Sequence, residues 1–443
     1  MSEAASTRDP RGALHSTAIV SGALVAWSIG AYVFFLLAGR MLGPEDYGLA
    51  AALLAVVVVG ATPMIALQWS SARVIAGGGV TARDDARGVY RRTLVLATAG
   101  AAALALIASG ITAALGASGN QLPVGPLIAT YWSLAAFMPL LVAAGALQGQ
   151  HRYWGFAVSY GLSGVLRAPV LLLLLALPLL SGVEATLLGV AIPTALGAAL
   201  AVWLTRALLL QVPKPSAAAW KSFGAGLGVA TVGLSGIAVL TNVDVIAAKL
   251  SLGGAEAGYF GAAAIIAKAL MLVPQALTTV LLPRVAERQQ RGQATGSLLA
   301  VGVVTMFAAG LAAMALAVPL EGPITTITFG TAFEPAATLV VPFFGATTLL
   351  GALLILVNHH VARNDRRFAW TVGALAIVQV ILLVLYGDSA GAIIAIDAIV
   401  AGAGLVIHEV MYLQTDESML IGAGRQAREV MRRIRARNAG EAG

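Results

Sequence analysis

The chain has 443 residues, of which 59% are hydrophobic and only 11% charged, with a formal net charge of +7. At a mean hydropathy of +0.89 there is too little polar surface to cover a water-soluble protein of this length, so most residues face lipid or one another. Cysteine is absent, which excludes disulfides, thiolate chemistry and cysteine-ligated metals.

Twelve apolar segments, each long enough for the ~20 residues of a spanning helix, follow in order. The first six fall at 13–38, 47–75, 89–115, 122–147, 154–180 and 183–210, and the second six at 220–249, 256–284, 297–319, 335–361, 366–386 and 389–413. Segment one is long enough to span and shows no evident cleavage site, so it is expected to be retained as a span. Membrane barrels alternate apolar and polar residues along each strand. These segments are apolar throughout, so the expected class is all-α.

The junction after segment one reads Leu42-Gly43-Pro44-Glu45-Asp46-Tyr47-Gly48, and a blurred copy, Leu252-Gly253-Gly254-Ala255-Glu256-Ala257-Gly258-Tyr259, follows segment seven. At a constant offset of 211 residues, Pro63 matches Pro274 and Arg73-Val74 matches Arg284-Val285. A fixed offset of this kind points to a duplicated unit, and duplicated halves in a membrane chain point to a transporter. The expected organisation is an N-terminal tail (1–12), a first six-helix lobe (13–210), a linker (211–219), a second lobe (220–413) and a basic tail (414–443).

With the N-terminus placed in the cytoplasm, 23 of the 27 Lys and Arg fall on inner flanks, while the outer flanks hold only Arg40 and Lys249. So strong a bias sets the orientation, with both termini inside and each six-helix half facing the same way. The basic excess is thereby absorbed by membrane topology, and no nucleic-acid partner is expected. The arginines from Arg425 to Arg437 fit a basic helix on anionic membrane lipids.

The remaining two cations, Arg167 and Lys268, fall inside segments five and eight, where a charge costs about 2.5–3.5 kcal/mol on insertion scales. Lys268 can meet a buried anion of a substrate or pair with an acid on a neighbouring helix. Arg167 can grip phosphate through its planar fork or tie to backbone carbonyls. Asp244 precedes Lys249 by five residues, and the two are read as a gate or ion-coupling pair, or as an interfacial pair that fixes helix depth. Arg40 is a candidate latch of the outer mouth, partnering Glu45, Asp46 or Asp244. Asp397, in segment twelve, is a candidate proton or sodium site. His408-Glu409 reads as interfacial, a lone His being weak evidence for a proton relay. Pro63 and Pro274 each remove a backbone hydrogen bond and mark matched hinges or fixed kinks. Neither a phosphate-binding loop nor a metal-ligand spacing appears, so no nucleotide motor, metal or cofactor is expected.

Taken together, Gly39-Arg40-Met41-Leu42-Gly43-Pro44-Glu45-Asp46-Tyr47-Gly48, Asn242-Val243-Asp244, Ala257-Gly258-Tyr259-Phe260 and Pro274 to Leu282-Pro283-Arg284 resemble the polysaccharide (oligosaccharide-lipid) flippases. These belong to the multidrug/oligosaccharidyl-lipid/polysaccharide exporter superfamily. The resemblance implies two lobes in a V around a central cavity walled by helices one, two, seven and eight. It also implies alternating-access transfer of a polyprenyl-(pyro)phosphate-linked glycan to the outer leaflet of a bacterial plasma membrane. Polysaccharide polymerases and glycosyltransferases would be partners. The related lipid II flippases carry extra arginines in helix one. Trp27 to Ala38 contains no charge, which counts against lipid II as cargo. A multidrug antiporter of the same superfamily is the alternative. A membrane glycosyltransferase or ligase is a further one, although the short outer connections leave no room for a soluble site, so a non-enzyme is expected.

Overall fold

The computed structural model describes residues 10–77, 80–118, 123–210, 214–277, 296–363, 365–413, 415, 418, 419, 421 and 424. The Leu282-Pro283-Arg284 close of segment eight and the basic run Arg425 to Arg437 lie outside these residues.

Among the described residues the chain is helical, with α1 (Pro10–Leu42), α2 (Pro44–Ala61), α3 (Ile65–Ala76), α4 (Val80–Ala117), α5 (Val124–Gly149), α6 (Tyr153–Val165), α7 (Arg167–Leu175) and α8 (Gly182–Thr205). These are followed by α9 (Ala217–Ser251), α10 (Gly254–Lys268), α11 (Gly296–Ala317), α12 (Glu321–Phe329), α13 (Ala337–Ala362), α14 (Arg366–Tyr386) and α15 (Ala390–Tyr412). They supply 12 spans long and apolar enough to cross a membrane, each overlapping one expected segment. Helices satisfy their backbone groups internally, as a lipid environment demands. Large apolar side chains such as Leu104, Ile107 and Ile111 on α4 are exposed, as a lipid-facing surface requires. The chain is a multi-pass, all-α membrane protein.

The ends of the helices follow from local chemistry. Gly43, at φ 76°, makes the turn between α1 and α2 in a conformation that suits glycine, and Pro44 opens α2, where no amide partner is needed. The corresponding residue at the start of α10 is Gly254, at φ 39°. Ser181 and Glu184 form a reciprocal capping box on α8. The Asp365 side chain accepts from the amides of Arg367 and Phe368 and caps α14.

The chain divides into two compact units, Met1–Leu234 and Ser235–Gly443, and the division falls inside α9. In the first unit α5 is central and packs against α8, α4, α3 and α2. Every residue from Leu140 to Leu147 is buried, the mark of a helix enclosed on all sides. Helices α1 and α6 cross at Gly30 and Gly164, and a Cβ on Gly30 would lie 2.7 Å from the Gly164 carbonyl oxygen. Small residues at such a crossing permit the close approach that stabilises helix pairs in lipid. In the second unit α13 is central, against α11, α15, α10 and α14.

Several spans are interrupted, the fifth at Leu166, between α6 and α7. A 3-10 turn, Thr62–Met64, separates α2 from α3, and another, Ala269–Met271, ends α10. Pro63 sits within the first turn, whereas Pro274 lies three residues beyond the second, where helix resumes over 272–277.

Candidate functional site

The described spans bury a charge centre in each unit. In the second unit, Asp244 on α9 meets Lys268, the last residue of α10. The Lys268 ammonium donates to Asp244 Oδ2 at 2.7 Å and to Oδ1 at 2.9 Å. Asp397 on α15 interacts electrostatically with both members of this pair. Its Oδ1 accepts from Gln379 Nε2 on α14 at 2.7 Å, and Gln379 also reaches the Leu240 carbonyl at 3.2 Å. Asp397 and Gln379 are fully buried and Asp244 nearly so. Asp397 Oδ2 is buried with no hydrogen-bond partner among the described residues.

This arrangement has a simple charge account. One ammonium faces two carboxylates, so with all three ionised one negative charge is left over. An uncompensated buried charge is costly, and a proton or small cation at Asp397 removes it.

The expected pairing of Asp244 with Lys249 is corrected by this geometry. Five residues advance a helix by about 500°, which turns the two side chains roughly 140° apart. Asp244 pairs instead with Lys268, and Lys249 is partly buried near the end of α9. Lys268 thus has an acid on a neighbouring helix, one of the two partners expected for it.

In the first unit, Arg167 opens α7 just after the break at Leu166 and is 5% exposed. Its guanidinium lies 4.8 Å from the centre of the Trp27 ring, and its Nε donates to the Ser163 carbonyl at 3.3 Å. Tyr160 stacks on Phe156 at 5.2 Å and tilts against Trp27 at 5.9 Å. Arg167, Trp27, Phe35, Thr62, Phe137 and Tyr160 line a mostly apolar cavity of about 90 Å³. Arg167 has no carboxylate within ion-pair distance among the described residues. The Trp27 indole nitrogen is also buried without a partner among them. The centre therefore offers two donor groups, a guanidinium and an indole N–H, beside an apolar wall.

Arg40 is exposed near the end of α1, and Glu45 and Asp46 are exposed in or beside the first turn of α2. Sequence reasoning missed Gln379 and the Trp27 platform. Gln379 could have been found as a polar residue inside an apolar segment, 18 positions before Asp397 on the adjoining span. Nothing in the sequence distinguishes Trp27 from a lipid-facing aromatic.

No protein-family model and no curated protein matches this sequence. Solved structures do. The lipid II flippase MurJ in an inward closed conformation superposes with a TM-score of 0.67 at 12% identity, covering 87% of this chain and 86% of that one. An inward-facing multidrug resistance transporter of the MATE family, in the MOP superfamily, gives 0.64 at 14% identity over 90% of this chain and 94% of its own. The Vibrio cholerae MATE transporter VcmN in its bent form gives 0.53 at 14% identity, over 88% and 97%. At these identities the likeness is one of fold: the chain shares its fold with a lipid II flippase and with multidrug resistance transporters of the MATE family.

Proposed function

We propose that this protein is a flippase that moves a polyprenyl-(pyro)phosphate-linked oligosaccharide from the inner to the outer leaflet of the plasma membrane by alternating access. The observation that carries this reading is Arg167, a buried guanidinium with no carboxylate partner among the described residues, facing an apolar cavity beside an unpartnered indole N–H. A planar fork in an apolar setting suits a phosphate attached to a hydrocarbon chain. Asp397 is the proposed coupling site, because its bare oxygen and the surplus negative charge around it invite a proton or sodium ion. Lys268 holds Asp244 in place there, while Arg40, Glu45 and Asp46 are proposed to latch the outer mouth. Pro63 and Pro274 are proposed as hinges, each close to an interruption of its span.

The carboxylates Asp244 and Asp397 favour a second reading, a multidrug antiporter for cations. One experiment separates the two. A deletion strain is expected to accumulate a lipid-linked glycan and lose surface polysaccharide, with drug susceptibility unchanged. Re-expressed Arg167→Gln at normal abundance should restore less than about a tenth of the export, the loss expected when a charge-assisted grip on phosphate is removed. Full export by that variant would remove Arg167 from the mechanism, and drug sensitivity without glycan loss would favour the antiporter.

A further inference from the structure

A further buried polar cluster lies apart from the Asp397 centre, at the end of the second unit where α13, α14 and α15 meet. His360 on α13 and His408 on α15 face each other with 2.9 Å between their Nε2 atoms. On its other side, His360 Nδ1 lies 3.1 Å from Asp365 Oδ2. The Tyr412 hydroxyl donates to that same oxygen, while Oδ1 accepts from the Arg367 amide at 2.9 Å and the Phe368 amide at 3.4 Å. Both imidazoles are fully buried.

These contacts fix where the protons are. Asp365 accepts from the Tyr412 hydroxyl and from two backbone amides, a pattern that suits the ionised form. Burial pushes its carboxyl up, but the Tyr412 hydroxyl, His360 and the amides of Phe368 and Arg367 outweigh burial and hold it below its ordinary range. An ionised carboxylate can only accept, so His360 carries its proton on Nδ1. Its Nε2 is then an acceptor, and His408 must supply the single N–H between the rings from its own Nε2. The Nδ1 of His408 is left as a bare lone pair, and it is buried with no hydrogen-bond partner among the described residues.

A buried lone pair at the end of a hydrogen-bonded chain is a vacancy for one proton. We infer that His360 and His408 form a proton-binding site, separate from Asp397, that takes up one proton per chain and ties the packing of α13, α14 and α15 to acidity. The excess proton has two equivalent descriptions, with both nitrogens of His408 protonated or with His408 on Nδ1 and His360 on both. In either, one N–H lies between the rings and the positive charge is balanced by Asp365. The other titratable or charged groups that act on this cluster are His359 and Arg363 from the α13 end, Arg367 from α14, and Glu409 and Tyr412 from α15. Asp397 and His408 are eleven residues apart, about three turns and 16 Å along one face of α15. One helix thus carries a carboxylate near mid-span and an imidazole near its end. The inference does not depend on which cargo is carried.

The test uses the full chain with 15N-labelled histidine in lipid bilayers, read by solid-state NMR. At neutral pH the expected tautomers are Nδ1–H for His360 and Nε2–H for His408. On acidification the two should change together with uptake of one proton, separately from exposed His151. Replacing His408 by Gln should abolish that joint step and leave His151 unchanged. A neutral His408 protonated on Nδ1, two independently titrating rings, or a joint step that survives His408→Gln would each overturn the inference. The tautomer measurement needs only the wild-type chain, so it stands even if the variant fails to fold.

Discussion

Arg167 is a buried cation and Lys268 a partly buried one, and their surroundings set them different tasks. Lys268 is held by two hydrogen bonds to Asp244, whereas Arg167 has a carbonyl and an aromatic face. Breaking a buried pair by removing one partner leaves the other charge uncompensated, a loss of about 3–5 kcal/mol. Lys268→Ala is therefore expected to lower stability by that amount in detergent unfolding, and Lys268→Met combined with Asp244→Leu should recover most of it. If the double variant is no more stable than the single one, the pair is not the source of the loss. Both cations were legible in the sequence because charge is rare inside apolar segments. Their partners were not, because pairing depends on which helices adjoin and sequence separation does not report that. The Asp244–Lys268 bond joins positions 24 residues apart on adjoining spans, while the nearer Lys249 lies on another side of α9.

At the scale of elements, the twelve spans were legible because lipid demands long apolar helices, a signal that survives without any tertiary information. Their interruptions were legible only in part. Pro63 marks its break directly, whereas the turn at Ala269–Met271 precedes Pro274 and has no proline of its own. The close crossing of α1 and α6 was hidden, since abundant glycine gives no sign of which ones touch. Gly30→Ala would place a methyl 2.7 Å from the Gly164 carbonyl oxygen, while Gly22 on the same helix has nothing within 4 Å. The expected cost at Gly30 is about 1–3 kcal/mol, as for overpacking. Thermal unfolding should show Gly22→Ala unchanged or more stable. Equal behaviour of the two variants would mean that the helices separate freely at this crossing.

For the whole molecule, the bias of Lys and Arg predicts which ends of the spans face the cytoplasm. The chain has no cysteine, so single introduced thiols can be labelled against no background. Met41 and Leu250 are exposed next to the α1–α2 and α9–α10 turns, and Trp154 and Trp370 are exposed at the starts of α6 and α14, ends assigned to the other side of the membrane. An impermeant maleimide applied to intact cells should label Met41→Cys and Leu250→Cys and spare Trp154→Cys and Trp370→Cys. The reverse pattern would invert the proposed topology and place Arg40, Glu45 and Asp46 in the cytoplasm.

The Asp365 carboxylate both starts α14 and orients His360. Two equilibria thus share one chemical group, the winding of the first turn of a helix and the occupancy of a proton site. Thermodynamic reciprocity then applies: whatever frays that turn must alter proton affinity, and proton uptake must alter the tendency to fray by the same free energy. A helix end so wired would couple its own fraying to acidity.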